Sequence, residues 1–170
     1  MAAVTDVFSQ IKPDTLVIIE TTLPPGMVEK RVVRLAHEVF ALRGFDATPL
    51  IAYCYERVMP GKNYINSILN FPRTIGSANK EALNKACLFY NAFCEKNLTV
   101  LRDATSVELA KVLENSYRAT NIAFIQEWTL YAEAIGVNLF DVIQSIKVRK
   151  GTHDNIMKPG FGVGGYCLTK

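Results

Sequence analysis

The spacing of hydrophobic positions changes along the chain, and each change marks an element. "TLVIIE" (15–20) is a continuous apolar run with β-branched residues, the pattern of a strand buried on both faces. "TTLPPG" breaks it. From Met27 to Arg43 the spacing becomes helical. Met27, Val28, Val32, Leu35, Ala36, Val39 and Phe40 form one stripe, and Gly44 suits a C-terminal cap. "PLIAY" (49–53) predicts a second strand. Strand, helix and strand in that order predict a parallel βαβ unit with a right-handed crossover. The stretch "CYERVMPGKNYINSILNFPRTIG" is rich in turn residues and reads as irregular. Residues 79–96 then predict a helix and "NLTVL" (97–101) a third strand. Residues 1–101 therefore read as part of an open α/β sheet.

The pattern changes after Asp103. "TSVE" (105–108) has the spacing of a capping box, with Thr105 and Glu108 as its two side chains. From there to Ile135 no Gly or Pro occurs. Thirty helical residues would extend about 45 Å. This helix is apolar on most sides, through Val107, Val112, Leu113, Tyr117, Ile122, Phe124, Ile125, Trp128, Leu130 and Tyr131. Such a helix must be covered nearly all round. That predicts a homodimer through the 105–135 helix. "GVN" (136–138) ends it and caps a shorter helix over 139–147.

Composition narrows the partners. The net charge is +3 over 170 residues, with Lys and Arg dispersed, so the chain has no electrostatic footprint for nucleic acid. No run of about 18 apolar residues exists, which argues against a membrane helix. "MAAVTDVFSQ" lacks the layout of a secretory signal. The four cysteines, at 54, 87, 94 and 167, form no CxxC pair, so reduced thiols in a cytoplasmic setting are expected.

Candidate chemistry sits at the strand ends and on the long helix. Open parallel sheets bind ligands beyond the carboxyl ends of their strands. One such end carries Thr21 and Thr22. The next carries Cys54, Tyr55, Glu56 and Arg57. Glu56 and Arg57 read either as a site or as a surface turn with a weak ion pair. Lys111 and Asn115 are four apart and share a helix face, as a buried polar pair or as part of a solvated strip. His37 and His153 have no metal-ligand spacing, and Cys87 and Cys94 share a helix face as core residues would. "PGFGVGGYCLTK" (159–170) satisfies G-x-G-x-x-G at Gly160, Gly162 and Gly165. No strand leads into it and no helix leads out, so it is not a dinucleotide cradle. Its glycines instead bring exposed amides close to Cys167, which would favour a thiolate or an oxyanion there.

Together "ETTLPPG" (20–26), "YERVMPG" (55–61), "ELAKVLENSYRATNIAFIQE" (108–127) and "PGFGVGGYCLTK" (159–170) resemble the UDP-glucose/GDP-mannose dehydrogenase family, the nucleotide-sugar 6-dehydrogenases. The resemblance implies part of a Rossmann-like parallel sheet over 1–102, the later part of an NAD-binding domain. An all-α domain with a long dimerisation helix, ending in the catalytic cysteine loop, would follow over 103–170. The implied activity is four-electron oxidation of a UDP-sugar C6 hydroxyl to a carboxylate, with two NAD⁺ used in succession. By motif position Cys167 resembles the nucleophile that forms a thiohemiacetal and then a thioester. Lys111 and Asn115 resemble the pair that stabilises the oxyanion and positions water. Glu56 is similar to the carboxylate assisting thioester hydrolysis. Thr22 is similar to the hydroxyl that holds water near that carboxylate and also to a cofactor contact, and Arg57, Gly164 and Gly165 to substrate contacts. "ERVMPG" leans toward the branch acting on UDP-N-acetylhexosamines such as UDP-N-acetylmannosamine.

The chain departs from the family pattern in three places. It has no glycine-rich βαβ unit, it stops one position short of an aspartate that usually follows the cysteine, and it has no C-terminal nucleotide-binding domain. It therefore reads as an internal piece, expected neither to bind NAD tightly nor to turn over alone. The competing reading is a non-catalytic dimerisation module that keeps the family fold.

Overall fold

The computed structural model describes residues 1–58, 60–94, 98–165 and 168. It divides into two compact units, Met1–Val112 and Leu113–Lys170. The first unit begins with α1 (Ala2–Gln10) and β1 (Leu16–Ile19). A π-helical turn, Val28–Val32, leads into α2 (Val33–Leu42). Then come β2 (Leu50–Tyr55), α3 (Tyr64–Asn70), β3 (Arg73–Gly76), α4 (Lys80–Asn91) and β4 (Leu98–Val100). The long helix α5 (Ala104–Ala134) starts in the first unit and ends in the second, where α6 (Leu139–Ile146) follows.

The sheet order is β1-β2-β3-β4. β1 and β2 are parallel, as the strand–helix–strand order requires. β3 runs antiparallel to β2, and β4 is parallel to β3, so the sheet is mixed. β3 and α3 fall in the stretch expected to be irregular. β3 has only four residues and starts with Arg73-Thr74, so no apolar alternation announces it. It pairs with β2 on one side and β4 on the other, and its buried Arg73 is met by the Glu20 carboxylate at 3.2 Å.

β2 is the central strand, and all six of its residues are buried. Its side chains alternate between two cores, as a pleated strand must. Ile51, Tyr53 and Tyr55 join Phe8, Val32, Phe40 and Val107 on one side. Ala52 and Cys54 meet Ala86 and Tyr90 of α4 on the other. β1, expected to be buried on both faces, is only half-buried, because it is the edge strand of this sheet. Cys87 and Cys94 pack against the α4 core, as expected.

Gly44 ends α2 at φ +78°. Its amide bonds to Ala41 O at 3.0 Å, and Phe45 N to Phe40 O at 2.9 Å. This is a Schellman cap. Gly136 ends α5 in the same way at φ +72°, with Val137 N bonded to Ala132 O at 2.9 Å. In the second unit, Ile125 and Ala132 of α5 pack with Leu139 and Ile143 of α6. Asn138 caps α6, its Oδ1 accepting from Phe140 N at 3.1 Å.

The expected capping box at 105–108 does not form. Asp103 is the cap, its Oδ1 accepting Ser106 N at 2.8 Å and Ser106 Oγ at 2.7 Å. Thr105 Oγ1 instead donates to Glu29 Oε2 at 3.0 Å. Glu108 turns away from its own helix toward the loop after β1. The spacing of a capping box was present, but tertiary partners outbid the local one.

Candidate functional site

β1 and β2 are adjacent and parallel, so their carboxyl ends open on the same edge of the sheet. The loop after β1, residues 20–26, is held at both ends. Tyr53, wholly buried on β2, donates its hydroxyl to Thr21 O at 3.0 Å. Burial pushes the Tyr53 phenol up to about 12, so it remains a donor. At the other end Glu108 accepts the amides of Gly26 at 2.5 Å and Val28 at 2.8 Å. Thr22 is thereby carried, exposed, at the end of β1.

At the end of β2, Glu56 bends its carboxylate back onto the Val58 amide. Lys111, on the second turn of α5, donates to Glu56 O at 3.2 Å. Its ammonium stands 5.2 Å from the centroid of the Tyr55 ring. Arg57 stands over the same ring at 4.6 Å and also donates to the Tyr55 hydroxyl. Its other terminal nitrogen donates to Pro72 O at 2.7 Å.

A cavity of about 500 Å³ adjoins these residues, lined by Glu20, Glu56, Val58, Tyr64, Arg73 and Tyr90 among others. Glu20 Oε1 accepts Tyr90 Oη at 2.6 Å and Arg73 Nη1 at 3.2 Å. Burial and the contact with Glu20 push the Tyr90 phenol up. Burial also raises the Cys54 thiol, which keeps it protonated and inert. Glu20, Arg73 and Tyr90 were not singled out from the sequence. A charged residue directly after an apolar strand, the signal that marks Glu56, is also present at Glu20.

The fold thus brings Glu56, Arg57 and Lys111 together around Tyr55, with Thr22 on the neighbouring strand end. Asn115, Gly164 and Gly165 belong to the second unit. There α5 carries Asn115, and the glycine loop after α6 has positive φ at Gly162 (+91°) and Gly165 (+85°). Cys167 lies outside the described residues. Among the described residues no group of three His, Cys, Asp or Glu side chains could hold a metal ion. No described helix is long and apolar enough to cross a membrane.

Residues 105–170 match the family model "UDP-glucose/GDP-mannose dehydrogenase family, central domain". The chain is 40% identical to a UDP-N-acetyl-D-mannosamine dehydrogenase of Pyrococcus horikoshii, over 91% of this chain and 36% of the relative. It is 34% identical to the protein of that name from Methanococcus aeolicus, over 99% of this chain and 36% of the relative. The solved structure of the Pyrococcus horikoshii UDP-D-ManNAc dehydrogenase superposes with a TM-score of 0.87 at 35% identity, covering 98% of this chain and 38% of that one. The fold is that of the α/β dehydrogenases. The chain resembles the UDP-glucose/GDP-mannose dehydrogenase family along nearly its whole length, and it spans about a third of the length of the relatives it matches.

Proposed function

We propose that this chain supplies the thioester-forming and thioester-hydrolysing part of an NAD-dependent nucleotide-sugar 6-dehydrogenase. The substrate is a UDP-N-acetylhexosamine, UDP-N-acetylmannosamine in the first instance, in keeping with the names of its relatives. The observation that carries the reading is that Lys111 reaches the carboxyl end of β2, where its ammonium donates to the backbone carbonyl of Glu56 at 3.2 Å. A cation and a carboxylate-bearing residue meet there beside a cavity, where an open sheet binds its ligand.

In this mechanism the C6 hydroxyl is first oxidised to the aldehyde. Cys167 Sγ adds to C6, forming a C–S bond and an oxyanion on the former carbonyl oxygen. Lys111 and Asn115 donate to that oxygen, a stabilisation that works because the donors are placed in advance. Loss of hydride from C6 leaves a thioester. Glu56 takes a proton from a water held by Thr22, and the hydroxide adds to the thioester carbon. The C–S bond then breaks, the thiolate leaves and the carboxylate is released. Arg57 and the amides of Gly164 and Gly165 hold the sugar nucleotide. Two NAD⁺, bound in succession, would each supply an acceptor for one hydride. The chain's fit to NAD is partial: Thr22 lies at a strand end suited to the reactive ring, but no strand, glycine loop and helix able to cradle a pyrophosphate occurs among the described residues.

The same reading includes a homodimer through α5. Tyr117, Phe124, Trp128, Tyr131 and Ile135 recur on one helical stripe and are all exposed. Phe124, Trp128 and Tyr131 pack edge to face along it. An exposed aromatic stripe of this length marks an interface. It is also the observation that favours the second reading, a non-catalytic dimerisation module.

The test is to graft the chain into the Pyrococcus horikoshii relative in place of the segment it matches, and to follow NADH and acid formation from UDP-N-acetylmannosamine. Turnover is expected, with none by the isolated chain, and Cys167→Ser is expected to abolish acid formation. Normal turnover by that variant discards the nucleophile assignment. On the chain itself, Cys167 should be alkylated faster than Cys87 and Cys94; equal, slow labelling favours the module.

A further inference from the structure

We propose that Tyr55 is a positioning residue, the one that sets where Lys111 and Arg57 stand. Tyr55 is 2% exposed and packs in one cluster with Tyr53, Phe40 and Val107. Val107 lies one turn before Lys111 on α5, so the core cluster that includes Tyr55 also includes the helix that carries the lysine. The Arg57 guanidinium carbon lies 4.6 Å, and the Lys111 ammonium 5.2 Å, from the ring centroid. An aromatic face carries negative potential and attracts cations, more strongly where water is excluded. Two neighbouring cations would otherwise drift apart, and the ring gives them a shared counter-pole.

The two cations depend on Tyr55 differently. Arg57 uses both the face and the hydroxyl, to which it donates. Lys111 uses the face, and its hydrogen bond goes to Glu56 O at 3.2 Å. A lysine stem has many rotamers in water. The ring and that carbonyl select the one directing the ammonium to the end of β2. The importance of this placement for turnover rests on the function proposed above; the placement itself does not.

Nuclear magnetic resonance of the isolated chain, with isotope-labelled lysine, reads the placement directly. The Lys111 ε-methylene protons, assigned through Lys111→Arg, should be shifted upfield by the ring. Tyr55→Phe should keep that shift, because it keeps the face. Tyr55→Leu should abolish it while the remaining lysines stay in place. An unshifted Lys111 in the unaltered chain, its loss in Tyr55→Phe, or its survival in Tyr55→Leu overturns the proposal. Should Tyr55→Leu fail to fold, the unaltered chain and Tyr55→Phe still decide.

In the grafted enzyme, Tyr55→Leu should lower kcat by about tenfold through Lys111 and raise KM through Arg57, and Tyr55→Phe, which keeps the ring face, should restore most of kcat. Unchanged kcat in Tyr55→Leu would overturn the positioning role. A graft inactive even with Tyr55 in place would count against the proposed function alone, and the lysine shift would still decide where Lys111 stands.

Discussion

Glu108 takes the backbone amide of Val28 at 2.8 Å, across 80 residues of sequence. Its other oxygen takes Gly26 N. One wholly buried carboxylate on α5 therefore holds the loop that carries Thr22, and Lys111 lies three residues further along the same helix. Burial raises the Glu108 carboxyl, against the pull of the two amides, and the nearby charge of Glu29 adds to the rise.

Glu108→Gln should cost about 1–3 kcal/mol, since one amide would then face an NH₂ group instead of an acceptor. The pH dependence has a definite sign. A carboxyl raised in the fold contributes stability below its ordinary value, near 4.5, and loses it as pH rises through the folded value. Urea unfolding across that range should show the fall in the unaltered chain and not in Glu108→Gln. Identical pH profiles would contradict the assignment.

Asp103 has the opposite sign. The Ser106 hydroxyl, the Ser106 amide and Arg102 hold its carboxyl below the ordinary 3.8. Its contribution is present above that value and is lost as pH falls through the folded one. At neutral pH, Asp103→Ala should cost about 1 kcal/mol as a lost cap, and Asp103→Asn less. Equal stability of the alanine variant and the unaltered chain would remove Asp103 as the cap of α5.

Gly76 ends β3 where α5 begins. A Cβ there would lie 2.3 Å from Asp103 O and 2.7 Å from Val107 Cγ2. Backbone cannot yield as a side-chain tip does. Gly76→Ala should destabilise the first unit by about 1–3 kcal/mol or more, lowering Tm. A thermal transition unchanged in this variant would show that the helix does not approach so closely.

Trp128→Glu puts a charge in the middle of the aromatic stripe on α5. Sedimentation at micromolar concentration should show a dimer for the unaltered chain and a monomer for the variant. A monomer in both cases removes the homodimer, and a dimer in both places the interface elsewhere.

Most of the architecture could be read before any coordinates, because it rests on periodicity. The run at 15–20, the stripe from Met27 to Phe40 and the uninterrupted helix after Asp103 each declare their element through local pattern. Gly44 and Gly136 mark helix ends because the left-handed conformation favours glycine. Thr22, Glu56, Lys111 and Cys167 could be named as candidates from the sequence, since such candidates rest on residue type and order. Tertiary structure decided what depends on partners distant in sequence. Arg73 can lie buried in a strand because Glu20 and Tyr90 receive it. Glu108 leaves its capping box because two amides some 80 residues away need an acceptor. Tyr55 opens the motif "YERVMPG", but it gathers Lys111 and Arg57 only once β2 and α5 have packed, because the attraction of a ring for a cation acts over a few ångströms and has no signature along the chain.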